Sequence, residues 1–291
     1  MNQRKISQCI YLIGYLLAGL MPFQVNSANS GLTPLFQNSN YFTYDIYWSL
    51  FKIGSAQLSF QELEPEQSTE KQYEISFSVQ SNELISSIYP VETHIVSRLV
   101  QLNDAIKPSI YTKNSSEGGK QNDSIVHFDY QLNQIIEEKN NNPLPPIEIT
   151  AKNLQDPLSL IVAICQNDFL ESPTFLQDVS DGGQIISIRS SYLNEGTIDT
   201  QVGQFQTQVI DIDPQGLRGV FKKSPDANVV LHLSEHSPAI PLKLKSKVSV
   251  GSFYAVLSGG MYQGIPIKGK TIDPLQQSLI PTQGLNRRFK R

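Results

Sequence analysis

Hydrophobic and polar residues alternate one by one along most of the chain after residue 40. Between Tyr41 and Trp48, for example, every second side chain is large and apolar. The same alternation recurs at 56–60, 73–79, 126–130, 186–188, 229–233, 240–244 and 253–257. A period of two places alternate side chains on opposite faces of a strand, and strands with one buried face are typical of antiparallel sheets. Gly54 predicts a bulge or bend within this pattern. The sequence therefore predicts a mainly β fold, a strongly curved antiparallel sheet that forms an open or partly closed barrel.

One segment departs from this period. Asp156-Pro157 precedes an apolar run that extends from Leu158 to Cys165. Aspartate is a favoured N-cap, and proline fits the first helical turn because its missing N–H would be unpaired there. The segment predicts one short helix over about 157–167, buried against the sheet; a buried strand is the alternative. Cys165 is expected to act as a small apolar core residue.

The first 28 residues have the composition of a secretory signal. Arg4 and Lys5 precede the uncharged apolar stretch Ile10–Phe23, and the small residues of Val25–Ala28 follow. This order predicts a signal peptide at 1–28, cleaved after Ser27 or Ala28, and hence a periplasmic protein. The alternative is a retained membrane anchor. The apolar run is shorter than the roughly 20 residues that cross a bilayer as a helix, so no permanent membrane span is expected after cleavage.

The remaining chain divides by its pattern into three parts. Residues 29–40 are predicted to be an N-terminal linker, and 41–258 a single curved β domain. From 259 onward, glycines and prolines such as Gly264 and Pro281 occur without sustained periodicity. Residues 259–291 are therefore predicted to be a weakly ordered tail.

Charge is distributed unevenly between the body and this tail. The chain has 23 Lys and Arg, 27 Asp and Glu and a net charge of −4, which becomes −6 without Arg4 and Lys5. An acidic body lacks the basic surface that nucleic acid requires, so nucleic acid is not an expected partner. The tail ends in a basic cluster that is either simply solvated or in contact with an anionic lipid or polysaccharide surface. This cluster consists of Arg287, Arg288, Lys290 and Arg291.

A series of short stretches resembles a known family. The stretches are Tyr44–Ser49, Ile53–Ala56, Ser87–Val91, Ile110-Tyr111, His127–Tyr130, Gly203–Phe205, Ile240–Leu242 and Val250–Phe253. In this order they resemble the family called domain of unknown function 3108, over residues 41–258. The resemblance implies an exported bacterial envelope protein, periplasmic and built on a curved antiparallel sheet, and it implies no activity. The chain departs from the family pattern at Val162 and Cys165, and again at His232, Glu235 and His236.

The sequence gives only weak support for a catalytic or metal-binding site. His232, Glu235 and His236 are the nearest approach to a zinc-binding cluster, but residues four apart on a strand lie about 13 Å from each other. A surface loop is the simpler interpretation of these three residues. Asp211 and Asp213 form a possible carboxylate pair, which turn formation explains more simply. The sequence therefore predicts no catalytic residues, no metal site and no cofactor, and the chain is not expected to be an enzyme.

Aromatic residues in the first half carry the leading functional hypothesis. If a curled sheet leaves its concave side unfilled, these side chains would line a cleft for an apolar or sugar-like ligand. The candidate ligand-binding residues are Tyr44, Trp48, Tyr73, Phe77, Tyr89, Tyr111, Phe128 and Tyr130. The expected function is a non-enzymatic envelope protein that binds or carries a lipid or glycan. The alternatives are a structural or assembly factor with an envelope protein partner and, ranked last, a hydrolase.

Overall fold

Strands form wherever the sequence carries the period of two. The computed structural model describes residues 33–64, 70–102, 105–181, 183–213, 228–235, 238–248 and 251–269. The strands are β1 (Asn40–Trp48), β2 (Phe51–Leu63), β3 (Gln72–Ser81), β4 (Val91–Leu102), β5 (Ala105–Glu117), β6 (Lys120–Asp129), β7 (Gln134–Lys139), β8 (Asn142–Pro143), β9 (Ile147–Glu148), β10 (Leu154–Gln155), β11 (Thr174–Ser180), β12 (Ile185–Thr200), β13 (Gly203–Ile212), β14 (Asn228–Ser234), β15 (Pro241–Val248), β16 (Gly251–Tyr262) and β17 (Ile265–Pro266). The helices are α1 (Thr33–Phe36), α2 (Glu83–Ser86) and α3 (Ser159–Gln166). The predicted mainly β fold is confirmed.

Two antiparallel meanders join into one sheet. Strands β1 to β7 pair in sequence order, and so do β11 to β16. The two halves are connected because β1 also pairs with β16, over Tyr41 to Trp48. Among the described residues, the outermost strands β7 and β11 do not pair with each other. We call the gap between them the seam; the sheet is curved but not closed.

One continuous segment, residues 142–155, crosses the seam. It supplies β8 and β9, which pair antiparallel with β7, and then β10, which pairs parallel with β11. The short strands therefore pair with part of the edge of each outermost strand. The chain then enters α3, so the helix follows directly from the crossing.

Helix α3 fills the inside of the curved sheet. Six of its eight residues are buried, including Cys165. The helix begins at Ser159, so the N-cap position is Leu158 and not the predicted Asp156. The Asp156 side chain still caps the first turn, because its Oδ1 accepts hydrogen bonds from the N–H groups of Leu158 (2.7 Å) and Ser159 (3.0 Å). The hydroxyl of Ser97 in β4 donates to Asp156 Oδ2 at 2.5 Å. This buried carboxylate thus attaches the helix to the sheet.

The segment predicted to be a linker contributes to the core. Leu35 and Phe36 in α1 are fully buried, and the Phe36 ring lies 4.8 Å from that of Tyr73. Asn40 holds this segment in place, since its Nδ2 donates to Leu35 O at 2.6 Å and its Oδ1 accepts from Gln263 N at 2.5 Å. The apolar side chains of α1 thus pack under β2 and β3, and the segment is joined to the β domain by core contacts.

The last long strand of the sheet extends past residue 259, where the tail is predicted to begin. Strand β16 continues to Tyr262, because Gly259 and Gly260 remain paired with Thr43 and Phe42 of β1. A Cβ atom on Gly260 would lie 2.5 Å from the carbonyl oxygen of Tyr41, so glycine at this position permits the pairing. The predicted weakly ordered part beyond 269 lies outside the described residues.

Strand β1 differs from a simple two-faced strand at Asp45. The alternation predicts that Asp45 faces water, yet its side chain is buried. The turn between β12 and β13 reaches over β1, and Gln201 Nε2 donates a hydrogen bond to Asp45 Oδ2. Lys52 Nζ lies 2.7 Å from Asp45 Oδ1. The long β12–β13 hairpin therefore covers part of a face that the sequence pattern marks as exposed.

The bulge predicted near Gly54 is confirmed. Ile46 pairs with Gly54 and the next residue, Tyr47, pairs with Lys52, so Ile53 is the extra residue of β2. A Cβ atom on Gly54 would lie 2.3 Å from Gln80 O, so the absence of a side chain at Gly54 allows the strands to approach so closely here.

In the described part of the chain, no helix is long and apolar enough to span a bilayer.

Asp156→Ala is expected to lower the free energy of unfolding by about 3 kcal/mol. The substitution removes the helix cap and leaves the buried Ser97 hydroxyl without its acceptor. Asp156→Asn should cost less, because its side-chain oxygen can still accept from the helix N–H groups. Urea denaturation measures both changes.

Asp123→Ala is the matched control, because the Asp123 side chain is exposed on β6. It should change stability by less than about 0.5 kcal/mol. If Asp156→Ala is as stable as this control, the carboxylate does not anchor α3.

Candidate functional site

The aromatic residues predicted to bind a ligand lie mostly in the core. Tyr44, Tyr73, Phe77, Tyr111 and Phe128 are each 7% exposed or less. The Tyr44 hydroxyl donates to Pro241 O at 2.8 Å, so its polar end is also paired inside the protein. The structure therefore brings these five side chains to one face of the sheet but packs them against other core residues.

The other three predicted aromatic residues are partly exposed. Trp48 stacks on Phe253 with ring centroids 6.1 Å apart. Tyr130 donates from its hydroxyl to a backbone carbonyl of β5 at 2.9 Å. Tyr89 packs so closely on Gly118 that a Cβ atom there would lie 2.3 Å from its ring. Their role in ligand binding stays a prediction, as does that of the five buried residues.

A groove lies on the opposite side of the same strands. We call the sheet surface facing away from the core the outer face, and this cavity the outer groove; its volume is about 410 Å³. It crosses β1 to β4 and is bounded by β16. The lining residues are Thr43, Tyr44, Ser55, Ala56, Gln57, Ser78, Val79, Gln80, Glu92, Thr93, His94 and Ser258.

Cross-strand pairing organises the outer groove into polar rows. In one row, Thr43 lies opposite Gln57, Gln57 opposite Ser78, and Ser78 opposite His94. The Ser78 hydroxyl and His94 Nδ1 are hydrogen-bonded at 2.8 Å. In the next row, Ser55, Gln80 and Glu92 are paired in the same way. The groove therefore presents hydroxyl, carboxamide, imidazole and carboxylate groups side by side.

The polar residues of the outer groove are the ones that the sequence interpretation missed. They occupy the positions between the aromatic residues on the same strands, so the alternation contains a signal for them. The pattern alone does not say which of them become cross-strand neighbours, because that depends on the register of each strand pair. The groove can therefore be identified only when the register of the strand pairs is known.

A second polar group lies beside the seam. We call Lys113, Glu117, Glu137 and Asp181 the seam cluster. Lys113 and Glu117 come from β5, Glu137 from β7, and Asp181 from the residue directly after β11. All three acidic side chains are buried. Across the seam, the charge of Asp181 acts on Lys113, so the cluster includes groups from both halves of the sheet.

Burial dominates the electrostatics of the seam cluster. It raises the pKa of Glu117 to about 7, and the nearby Lys113 ammonium offsets only part of this effect. Glu117 Oε2 is buried and has no hydrogen-bond partner among the described residues. Burial also lowers the pKa of Lys113, against the opposing influence of Glu117 and Asp181. Burial therefore opposes ionisation of Glu117 more strongly than Lys113 favours it.

The interpretation of His232 as part of a surface loop was wrong. His232 lies within β14, opposite Lys243, and its Nδ1 is 3.4 Å from Thr207 Oγ1. Burial lowers its pKa, and so do the charges of Lys243 and Lys245. Within the described residues, no group of three or more His, Cys, Asp or Glu side chains is arranged to hold a metal ion. His236 lies outside the described residues.

The possible carboxylate pair is only partly described. Asp211 lies on β13 and accepts a hydrogen bond from Asn228 Nδ2 at 2.9 Å. Burial and the nearby charge of Asp213 raise its pKa. The turn predicted to follow Asp213 lies outside the described residues.

Comparison with known proteins identifies the family. The family model described as "Protein of unknown function (DUF3108)" matches residues 43–258. The chain belongs to the DUF3108 family. The resemblance found in the sequence is thereby confirmed, over nearly the same residues. No curated protein matches this DUF3108 chain.

Two solved structures match this DUF3108 protein at low similarity. One is a beta-barrel-like protein of domain of unknown function DUF1849 from Brucella abortus, with a TM-score of 0.45 and 6% identity. The match covers 75% of this chain and 95% of that one. The other is the hypothetical protein CT021 from Chlamydia trachomatis, with a TM-score of 0.33 and 9% identity, covering 84% and 98% of the two chains.

Glu117→Gln is expected to stabilise the protein at pH 8 and to flatten its pH dependence. The carboxyl ionises near pH 4.5 in the unfolded chain and near 7 in the folded protein, so wild-type stability falls as the pH rises between these values. Glutamine has a similar shape without the charge. The free energy of unfolding at pH 8 should rise by about 2 kcal/mol, less than the full effect because Lys113 loses a neighbouring carboxylate.

Urea denaturation between pH 5 and pH 8 measures this change. Glu138→Gln is the control, because Glu138 is the neighbour of Glu137 on β7 and is exposed; it should leave the slope with pH unaltered. Parallel curves for the wild type and Glu117→Gln would show that Glu117 is not held in its protonated form.

Proposed function

We propose that this protein is an exported, non-enzymatic binding protein of the bacterial envelope, and that it holds a glycan segment in the outer groove. The observation that carries the proposal is the lining of that groove by hydroxyl and carboxamide side chains in cross-strand rows. Such groups both donate and accept hydrogen bonds, as a polyhydroxylated ligand requires. Its volume of about 410 Å³ also lies in the usual range for ligand sites.

A glycan fits this groove better than a lipid does. The large apolar side chain among the lining residues, Tyr44, is buried and pairs its hydroxyl with Pro241 O. An acyl chain in the groove would lie against Gln57, Gln80 and His94, whose polar groups would lose water without gaining partners. The proposed binding surface is therefore the polar outer face and not the aromatic side.

Binding without catalysis is the simplest role for these groups. Ser78 and His94 are adjacent, but a serine nucleophile also needs a third group that orients the imidazole. Among the described residues, no carboxylate hydrogen-bonds to His94. The Ser78–His94 pair thus resembles the other cross-strand polar pairs of the groove, and we assign it to ligand contact.

Export to the periplasm is supported by the order of charge, apolar stretch and small residues in 1–28. Protein isolated from the periplasmic fraction of its own cells is expected to begin directly after Ser27 or Ala28. Intact-mass measurement with N-terminal sequencing checks this. A full-length chain recovered with the membranes would contradict export with cleavage.

The double substitution Gln57→Ala/Gln80→Ala is expected to weaken glycan binding about tenfold. Each lost hydrogen bond costs about 0.5–1.5 kcal/mol, and about 1.4 kcal/mol corresponds to a factor of ten. Peptidoglycan fragments and lipopolysaccharide-derived oligosaccharides on an array serve as probes, and isothermal titration calorimetry then gives Kd for those that bind.

Gln121→Ala is the matched control, because Gln121 is an exposed glutamine on β6 outside the groove; its Kd should equal that of the wild type. Native mass spectrometry of protein from its own envelope adds an independent measurement. A bound species with the mass of a lipid, or equal binding by the double variant and the control, would overturn the proposal.

A further inference from the structure

Four large apolar side chains project from one end of the sheet. Leu50 and Phe51 form the tip of the β1–β2 turn and are 87% and 73% exposed. Leu84 and Ile88 lie in the connection between β3 and β4 and are 78% and 51% exposed. We call these four residues the apolar tip. Single exposed apolar residues are common, but a group on adjacent loops marks an interaction surface.

Hydrogen bonds hold the two loops of the apolar tip together. Asn82 Nδ2 donates to Lys52 O at 2.7 Å, and Asn82 N donates to Ile53 O at 2.9 Å. The same residue caps α2, since its Oδ1 accepts from Ile85 N at 3.0 Å. One side chain therefore fixes both loops in the same place. The apolar tip is a built feature of this end and not a chance exposure of separate loops.

The shape of the apolar tip suits a fluid apolar medium. Its side chains stand out from the surface at exposed fractions of at least one half. A protein partner would need a pocket shaped to each of them, whereas the boundary between lipid headgroups and acyl chains accepts them without a fixed shape.

Aromatic residues lie directly behind the apolar tip. Trp48 is two residues from Leu50 and stacks on Phe253 of β16. Tyr47 stacks on Tyr254, with ring centroids 4.8 Å apart. Tryptophan and tyrosine are the side chains that concentrate at membrane–water interfaces, because they are apolar with a polar edge. Their position matches the headgroup level of a bilayer that receives Leu50.

Exposed lysines accompany these aromatic residues. Lys245 and Lys247 are exposed on β15, whose connection to β16 lies at the same end of the sheet, since Trp48 pairs with Phe253 and Lys247 with Ser252. Lys52 follows Phe51 and has a side chain that is 48% exposed. Glu83 at the start of α2 is an exposed acidic residue of the same region. Because Lys52 is paired with Asp45, Lys245 and Lys247 carry the positive charge that this end offers to an anionic surface.

We propose that the apolar tip inserts into the surface of an anionic lipid bilayer, with Lys245 and Lys247 against the lipid headgroups. The contact attaches the protein reversibly to the membrane surface. It is separate from the outer groove, so membrane attachment and glycan binding are tested by different variants.

Co-sedimentation with lipid vesicles tests this proposal. The probes are vesicles of phosphatidylcholine mixed with phosphatidylglycerol, and vesicles of phosphatidylcholine alone, with the chain as purified from its own cells. The wild type should bind the anionic vesicles more tightly. Leu50→Ser/Phe51→Ser should reduce the partition coefficient at least tenfold, because burial of a large apolar side chain is lost. Lys245→Gln/Lys247→Gln should reduce binding to the anionic vesicles about tenfold and change binding to neutral vesicles little.

Leu132→Ser is the matched control, because Leu132 is 67% exposed at the opposite end of the sheet, in the β6–β7 turn. It should bind as the wild type does. All variants retain the basic end at 287–291, so any attraction of that segment to anionic lipid is common to them. Thermal unfolding midpoints equal to that of the wild type show that the tip variants are folded.

Three results would overturn the proposal. The first is a wild type that stays in the supernatant with both kinds of vesicle, and the second is Leu50→Ser/Phe51→Ser binding as tightly as Leu132→Ser. The third is a dimer of the wild type, seen by light scattering, that the tip variant loses; it would assign the tip to contact between two copies of the chain.

Discussion

The interior of this curved, open sheet is filled by α3, and the buried Asp156 carboxylate fixes the position of that helix. It caps α3 and accepts the Ser97 hydroxyl of β4, so one side chain sets both the start of the helix and its attachment to the sheet. The apolar residues of α3 can then cover the core side of the strands. The core side is thereby used for stability, which leaves the outer face and the ends of the sheet for recognition.

The alternation of side chains predicted the strands and their buried faces well, and Asp156-Pro157 predicted the helix. These features depend on residues near each other in the chain. The alternation does not explain the burial of Asp45, which the remote Gln201 covers, or of Leu35, which packs under strands that follow it. Tertiary contacts decide such positions, and no local pattern encodes them.

The candidate site was harder to predict than the fold for the same reason. The sequence analysis predicted that aromatic residues bind a ligand, yet Tyr73 and Phe77 are buried in the core. Gln57 and Gln80 look unremarkable until strand register places them among Ser55 and Ser78. Glu117 and Asp181 lie far apart in sequence, and only the curvature of the sheet brings them to the seam. The set of polar groups that meet at the site therefore depends on the register of the paired strands more than on which residue types the sequence contains.

The segment at 142–155 affects how readily the edges of this open sheet can associate with other chains. An unpaired strand edge offers free N–H and C=O groups to any extended chain, and large open sheets tend to polymerise through such edges. Here β8 and β9 pair with part of the edge of β7, and β10 pairs with Asp178 and Val179 of β11. One stretch of fewer than twenty residues therefore protects part of both edges, and neither edge depends on a second chain for this pairing.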